Sequence, residues 1–331
     1  MSSTTFLAGD IGGTNARFAL VSPDAAGRPV LRGVQTYSTT GGVVEAAAKF
    51  LREAGASGIV RGAFGIAGPV VAGRCRMPNA GWTVGEAEFE AQFGFPLRLH
   101  NDMVANAAGI FHLTPADFKV LHEGKERPGH RALIAPGTGL GKALLAWDGT
   151  RHTILAGEGG HADFGPRNAT EDALLVHLRG KFGRVSAERV ACGRALPNLY
   201  HFLKETGRAQ EPDWLRAMLA GAPDPGPVLF HAAFERREPI AQEVFRLFAS
   251  ILGSEAGNLC LTGMAVGGCY LGGGILPRIS DWLVDSGHFR EAFLDKAPHH
   301  TVVEGIPVRI ITNPQTALIG AAALALGDVR L

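Results

Sequence analysis

Residues 10–15 read Asp-Ile-Gly-Gly-Thr-Asn, and this turn carries the strongest structural signal in the chain. Phe6–Ala8 before it is a short apolar strand, and Arg17–Val21 after it resumes as a strand. The pattern predicts a β-hairpin and not the strand-to-helix turn of a dinucleotide-binding fold. Its glycines allow backbone N–H groups to surround an anion, and Asp10 can orient a metal-bound water. The alternative is a hairpin turn whose Asp-Gly chemistry is purely structural.

A second strand-turn-strand pattern follows in the middle of the chain. Its turn is Gly137–Gly141, between the apolar strands Arg131–Ala135 and Lys142–Trp147. The turn is not a Walker A loop, because its glycine spacing is too short and Ala143 lacks a hydroxyl for magnesium. The third glycine also comes too early for a dinucleotide fingerprint. The pattern therefore indicates a turn for a terminal phosphate, and its likeness to the first hairpin predicts two related halves.

Two further motifs stand at the ends of predicted strands. Asn101-Asp102 follows the strand Leu97–His100, at the carboxyl end where ligands of α/β folds gather. Asp102 is a candidate general base for a substrate hydroxyl, and the alternative is an N-cap for the helix that follows. The run Leu271–Pro277 is a strand ending in glycines before a helix start. That helix N-terminus can face a nucleotide, or the glycines only permit tight strand–helix packing.

Acidic and histidine side chains gather in the glycine-rich stretch 157–166. Glu158, His161 and Asp163 can bind a metal, but the histidine has no second histidine or cysteine nearby. They can instead bind a polyhydroxylated ligand, because carboxylates accept hydrogen bonds and an imidazole donates one. Glu188 can join this set, or it is an ordinary acid in the first turn of a helix.

The composition excludes several classes of protein. A chain of 331 residues suggests about two domains. Its 32 basic and 31 acidic residues leave no electrostatic footprint of a nucleic-acid binder. The four cysteines form no C-x-x-C pair and no secretory signal is recognised, so a reducing cytoplasm is predicted. Residues 256–277 carry no charge, but seven of them are glycine, which favours a buried strand and a glycine turn over a membrane span.

The remaining elements of the second half are predicted to be mainly helical. Pro239–Gly257 has the pattern of a long amphipathic helix, and Ala317–Leu326 that of a closing alanine-leucine helix. Glu211–Pro227 contains four prolines and is predicted to be a surface excursion.

Taken together, the motifs resemble bacterial glucokinases of the hexokinase–actin-like superfamily. The resemblance covers nearly the whole chain. One such motif can occur by chance, whereas the full series in this order is typical of the family. The most specific stretches are Gly9–Arg17, Asn101-Asp102, Gly137–Gly141, Gly157–Phe164, Val185–Val190 and Gly273–Arg278.

This resemblance implies an α/β protein with the two-domain actin-like (ribonuclease H-like) ATPase fold and a cleft between a small and a large domain. The small domain is expected to hold residues 1–112 and the C-terminal helix region 313–331. The large domain is expected to hold residues 113–312. The family also implies a homodimer, with no nucleic-acid partner and no membrane.

The implied activity is ATP-dependent phosphorylation of D-glucose at the 6-hydroxyl, with glucose 6-phosphate and ADP as products and Asp102 as general base. ATP and Mg²⁺ are the implied cofactors, and Asp10 is a candidate metal contact through a water. The implied sugar contacts are Asn101, Asp102, Glu158, His161 and Glu188. The implied ATP and phosphate contacts are Gly9, Asp10, Ile11, Gly12, Gly13, Thr14, Asn15, Gly137, Thr138, Gly139, Gly273 and Gly274.

The chain departs from the family pattern at Lys142, where an apolar residue is expected. Lys142 either approaches the nucleotide phosphates or points outward. Two other functions stay open: a kinase for another hexose or an N-acetylhexosamine, and a non-catalytic sugar sensor or actin-like ATPase scaffold. The presence of Asp102 together with Glu158 and His161 argues against a sensor, which has no need of a base.

Overall fold

The structure is a computed structural model, which describes residues 4–77 and 81–327. The strands are β1 (Thr5–Ile11), β2 (Asn15–Pro23), β3 (Pro29–Ser38), β4 (Ile59–Ile66), β5 (Val70–Val71), β6 (Arg74–Met77), β7 (Trp82–Gly85), β8 (Leu97–Asn101), β9 (Phe118–His122), β10 (Arg131–Pro136), β11 (Leu140–Trp147), β12 (His152–Gly157), β13 (Cys269–Leu271) and β14 (Val308–Ile311).

The α-helices alternate with these strands and dominate the second half of the chain. They are α1 (Val43–Glu53), α2 (Glu86–Phe93), α3 (Asp102–Ile110), α4 (Ala169–Phe182), α5 (Leu196–Glu205), α6 (Asp213–Ala220), α7 (Pro225–Phe230), α8 (Pro239–Thr262), α9 (Ser280–Ser286), α10 (His288–Leu294), α11 (His300–Glu304) and α12 (Thr316–Leu326).

The chain divides into two compact units. One reaches to Phe118 and also takes residues 145–156 and the chain from Thr312 onward, and the other holds residues 119–144 and 157–311. This division differs from the sequence-based one at residues 113–118, at 145–156 and at Thr312. The ends of the predicted small domain, residues 1–3 and 328–331, lie outside the described residues.

The two main sheets share one strand order. The first runs β3-β2-β1-β4-β8, and the second runs β12-β11-β10-β13-β14 with β9 added at the edge. In the first, β1 is antiparallel to β2 and parallel to β4, which is in turn parallel to β8. In the second, β10, β13 and β14 are parallel neighbours. The matching order supports the two related halves predicted from the repeated hairpin.

The first sheet is covered on both faces because successive side chains of a strand point to opposite sides. From β1, Leu7 and Ile11 join an aromatic cluster with Phe18, Phe50 and Phe64. Phe6 and Ala8 point to the other face, where the closing helix α12 packs through Leu318 and its alanines. This burial fixes β1 at the centre of the sheet and so fixes the turn that follows it.

The core helix α8 passes through the middle of the second unit. It is long and apolar enough to cross a membrane by composition, but 72% of its most apolar window is buried within the protein. Gly257 does not end this helix as the sequence suggested. A Cβ there would lie 2.9 Å from the carbonyl oxygen of Phe293, so the glycine permits close packing of α10. The prediction for 256–277 is therefore wrong over residues 256–262, which are helical, and correct for the buried strand β13.

Glu211–Pro227 lies mostly at the surface, as predicted, but it is helical. It forms α6 and the start of α7, and its Leu215 is fully buried. The prolines do not interrupt these helices, because they stand before them or in their first turn, where a missing N–H costs nothing.

Candidate active site

The predicted residues of the first unit meet at one edge of its sheet. In the strand register Ile11 is paired with Ile66, and Ile66 with Asn101. The carboxyl ends of β1, β4 and β8 are therefore level with one another. The Asp10 turn follows β1 and Asp102 follows β8, so both lie at the edge where open α/β sheets bind ligands.

The turn after Asp10 is fixed through its backbone. The N–H of Gly12 donates to the carbonyl oxygen of Asn15 at 2.8 Å. Thr39 holds the turn from outside: its hydroxyl donates to Gly13 O at 2.8 Å and its N–H to Thr14 O at 2.9 Å. Gly13, Thr14 and Asn15 are exposed. No sequence motif marks Thr39, whose role depends on the β2–β3 hairpin bringing it to the turn.

Gly9 and Asp10 belong to the strand before the turn. Gly9 is buried, and a Cβ there would lie 2.5 Å from a ring carbon of Phe64. The absence of a side chain at Gly9 therefore allows the Phe64 ring to pack against β1. Asp10 is opposite Arg17 in the hairpin. Burial raises the pKa of the Asp10 carboxyl, and the positive charge of Arg17 offsets part of this rise.

Asn101 and Asp102 stand at the junction of β8 and α3. The side chain of Asn101 accepts a hydrogen bond from Met103 N at 2.8 Å, so the predicted alternative of an N-cap is correct for this residue. Its amide nitrogen also lies 3.5 Å from Gly68 O. Asp102 begins the helix and is partly exposed. The positive end of the helix dipole stabilises a carboxylate at this position, as a general base at neutral pH requires.

The second unit brings the other predicted residues together around the Gly137 turn. Gly137 N donates to Gly139 O at 2.8 Å, and Gly193 N donates to Gly137 O at 2.8 Å. The carboxylate of Glu188 accepts from Leu140 N at 2.9 Å. Glu188 is therefore bound to the turn itself, which its interpretation as an ordinary first-turn acid did not anticipate.

The stretch containing Glu158 and His161 packs directly on this turn. A Cβ at Gly160 would lie 1.9 Å from Leu140 O, so only glycine permits the approach. Glu158 Oε2 is 3.9 Å from His161 Nε2, and the two side chains are 78% and 57% exposed. An accessible carboxylate next to an accessible imidazole offers the acceptor and donor that neighbouring hydroxyls need.

Arg184 organises this stretch and was not predicted from the sequence. Its guanidinium donates to the carbonyl oxygen of His161 and to Asp163, both at 2.6 Å. Ala187 N also donates to Ala162 O at 2.9 Å, which joins the stretch to the segment of Glu188. No local motif marks Arg184, because its partners are distant in sequence.

Gly273 and Gly274 follow β13 beside the same turn. Gly273 has a φ of 88°, and a Cβ there would lie 2.3 Å from Pro136 O. The packing alternative therefore accounts for Gly273. Gly274 differs, because a Cβ there would meet no atom within 4 Å.

Lys142 takes neither of the two predicted positions. Its side chain is buried, and its ammonium lies 2.5 Å from Glu255 Oε2 on the core helix α8. The lysine points into the protein because this carboxylate is there to pair with it. Among the described residues, no group of three or more His, Cys, Asp or Glu side chains is arranged to hold a metal ion.

Comparison with known proteins identifies the family. The family model described as Glucokinase matches residues 7–327. The chain is 38% identical to a glucokinase of Chromohalobacter salexigens, over 95% of each chain. It is 36% identical to a glucokinase of Nostoc punctiforme, over 97% of this chain and 99% of the relative.

The fold agrees with this sequence similarity. The crystal structure of a glucokinase from an Antarctic psychrotroph superposes with a TM-score of 0.85 at 30% identity, covering 98% of this chain and 99% of the other. The resemblance and the two-domain α/β kinase fold predicted from the sequence are thereby confirmed. The chain belongs to the glucokinase family.

Proposed function

We propose that the chain transfers the terminal phosphoryl group of ATP to the 6-hydroxyl of D-glucose, giving glucose 6-phosphate and ADP. The family supports this reaction. The observation that carries it is Asp102, a partly exposed carboxylate that begins α3 at the carboxyl edge of the first sheet. A sugar-binding sensor without turnover has no need of a base there.

Asp102 acts as the general base. It takes the proton of the 6-hydroxyl as the sugar oxygen attacks the γ-phosphorus, and the bond from that phosphorus to the bridging oxygen of ADP breaks. Asn101 keeps the base in position, because its cap fixes the first turn of α3. The rate gain from such a base is typically about 10²–10⁴-fold.

The glycine turns hold the nucleotide through backbone N–H groups other than those of Gly12 and Gly137, which donate within their own turns. Residues 12–15 and 137–139 bind the phosphates, and Gly273 and Gly274 contact the adenosine. Gly9 and Ile11 were also predicted to contact the phosphates, but they are buried in β1 and position the first turn instead. The open space at Gly274 and the exposed residues Gly13–Asn15 support these roles. Asp10 would hold Mg²⁺ through a water. A magnesium ion held by phosphates needs only one or two protein carboxylates, so a single aspartate fits, and the ion would neutralise charge on the phosphate oxygens.

The sugar is held by Asn101, Glu158, His161 and Glu188. Two exposed side chains, Glu158 and His161, accept from and donate to neighbouring hydroxyls. Glu188 has one carboxylate oxygen on Leu140 N, so it couples the sugar contacts to the phosphate turn.

The working form is a homodimer in the cytoplasm. All four cysteines lie in the part of the chain that the structure describes, and all are free thiols, in keeping with a reducing compartment. The dimer is supported by the family alone, and sedimentation of the purified protein tests it.

The deciding experiment measures ADP release from magnesium-ATP with glucose, mannose, fructose, an N-acetylhexosamine or no sugar. Turnover that is fastest with glucose supports the proposal. Faster turnover with another sugar replaces the substrate and keeps the base. ADP release without sugar indicates an ATPase scaffold, and binding of glucose without any turnover indicates a sensor. Omission of Mg²⁺ is expected to abolish turnover.

A further inference from the structure

An ion pair in the interior of the second unit is not used by the proposed reaction. Lys142 Nζ and Glu255 Oε2 are 2.5 Å apart, and their side chains are only 10% and 7% exposed. Burying two charges is costly, and well-packed apolar residues of similar volume are often equally or more stabilising. Fold stability alone therefore gives little reason for a lysine at this position, where the sequence resemblance predicts an apolar residue.

The stem of this lysine touches the sugar-binding stretch. A Cβ at Gly159 would lie 3.1 Å from Lys142 Cδ and 3.3 Å from its Cβ. Gly159 opens the 3₁₀ turn Gly159–His161, and Glu158 is the residue before it. The methylene chain of Lys142 thus forms the floor under the turn that presents Glu158 and His161.

The ion pair of the Lys142 ammonium fixes the conformation of this side chain. A lysine stem has many rotamers, and an anchored end removes most of them. Glu255 belongs to the fully packed part of α8, where Leu252 and Ala256 are 0% exposed. The anchor is therefore attached to a fully buried stretch of α8, and it reaches the turn through a single side chain.

We propose that Lys142 is a positioning residue, which sets the height of the turn Gly159–His161 and so aligns Glu158 and His161 with the sugar hydroxyls. This inference rests on the proposed function, because it assigns the turn to the sugar. The inference predicts different effects on the two substrates. Loss of the Lys142 stem weakens binding of the sugar, whereas the nucleotide turn stays in place because Glu188 and Gly193 hold it.

The test compares two double variants in the full-length protein. Lys142→Ala/Glu255→Gln removes the stem without leaving an unpaired buried charge. It is expected to raise the KM for glucose about tenfold, the effect of misaligning one or two hydrogen bonds, with the KM for ATP near the wild-type value. Lys142→Met/Glu255→Gln keeps a stem of similar length but loses the ion pair that anchors it, so it is expected to recover only part of the glucose affinity. A merely structural role predicts parallel changes in both KM values and no rescue by Met.

Lys296→Ala is the matched control. Lys296 also reaches α8, where its Nζ lies 3.0 Å from Ser254 Oγ and its stem covers Gly257. Its stem covers Gly257 of α8, whereas the stem under Gly159 is that of Lys142, so loss of Lys296 is expected to leave the KM for glucose unchanged.

A third variant keeps the ion pair and protects the test against misfolding. Gly159→Ala presses a methyl group onto the Lys142 stem and is expected to raise the KM for glucose while sparing ATP. Glucose affinity measured by calorimetry without ATP must rank the variants in the same order as the KM for glucose does. Wild-type glucose affinity in both Gly159→Ala and Lys142→Ala/Glu255→Gln overturns the inference. A wild-type protein that does not phosphorylate glucose instead refutes the proposed function, and the inference with it.

Discussion

The carboxylate of Glu188 accepts a hydrogen bond from the backbone N–H of Leu140 at 2.9 Å. One acidic side chain thereby braces the turn Gly137–Gly141 and is also among the residues proposed to bind the sugar. A carboxylate used in this way links the two substrates, because any change in its position moves both a phosphate turn and a sugar contact.

Glu188 variants separate these two roles. Glu188→Gln keeps an oxygen that can accept from Leu140 N, so we expect it to raise the KM for glucose and leave that for ATP close to the wild-type value. Glu188→Ala loses the brace as well and is expected to raise the KM for ATP up to about tenfold. Steady-state kinetics with each substrate varied in turn measures both. Equal effects of the two variants on ATP would contradict the bracing role.

Replacement of the proposed base tests the chemistry. Asp102→Asn is expected to lower kcat by at least about 100-fold while glucose still binds, because the amide keeps the shape of the side chain but cannot accept the proton. Calorimetry with glucose and single-turnover assays measure the two effects. Asp24→Asn is the control, since Asp24 is a carboxylate of the exposed β2–β3 turn. A kcat near the wild-type value in Asp102→Asn would remove the residue from the role of base.

The cap at Asn101 predicts that two substitutions of this residue have different effects, one on stability and the other on the pH dependence of catalysis. Asn101→Ala loses the bond to Met103 N and is expected to lower the free energy of unfolding by about 1 kcal/mol. Asn101→Asp keeps an effective cap and its stability, but it sets a second negative charge beside Asp102. Like charges raise the pKa of a carboxyl, so the pH at which kcat is half-maximal is expected to rise in this variant. Urea unfolding and a pH–rate profile provide the measurements, and an unchanged profile would speak against Asp102 as the titrating base.

Local patterns in the sequence predicted the elements that depend on neighbouring residues. The hairpin at Asp10 and the strand ending at Asn101 are fixed by glycine turns, apolar runs and a capping residue, all of which lie within a few positions of one another. For the same reason the candidate base could be selected from its position directly after a strand. Its alternative role, a cap, belongs to the residue before it.

Contacts between distant residues could not be predicted in this way. Lys142 follows a glycine turn and so resembles a phosphate-binding lysine, yet its partner Glu255 is 113 positions away. Arg184 braces the carbonyl of His161 across 23 positions. The partner of such a long-range contact depends on the tertiary packing of the elements that carry the two residues. The spacing of neighbouring residues in the sequence does not predict it.

The partly buried carboxyl of Asp10 predicts a pH-dependent stability. Because burial raises its pKa above the ordinary 3.8, the folded protein binds this proton more tightly than the unfolded chain does. Its contribution to stability is present below pH 3.8 and is lost as pH rises through the folded pKa. Asp10→Asn cannot ionise, so we expect it to melt above the wild-type Tm at pH 7, with the difference shrinking toward pH 3.8. Turnover is expected to fall in the same variant.

Asp24→Asn is expected to change the pH dependence of stability in the opposite direction. The backbone N–H of Arg28 lowers the pKa of the Asp24 carboxyl, so its contribution is present above the unfolded pKa and is lost as pH falls. Thermal unfolding of both variants across pH measures the contrast. A Tm of Asp10→Asn below the wild-type value at pH 7 would show that the Arg17 contact outweighs burial.

Gly273 and Gly274 form a matched pair for the nucleotide site. Gly273→Ala forces a side chain into a left-handed conformation 2.3 Å from Pro136 O, so it is expected to cost more than about 1–2 kcal/mol of stability and to displace the Gly137 turn. Gly274→Ala meets open space and is expected to fold with wild-type stability. Its methyl group then stands where the adenosine is proposed to lie, so the KM for ATP should rise while that for glucose does not. Urea unfolding and ATP kinetics distinguish the two outcomes. Wild-type ATP affinity in Gly274→Ala would move the adenosine away from this turn, because nothing else in the described residues occupies the space that the methyl group fills.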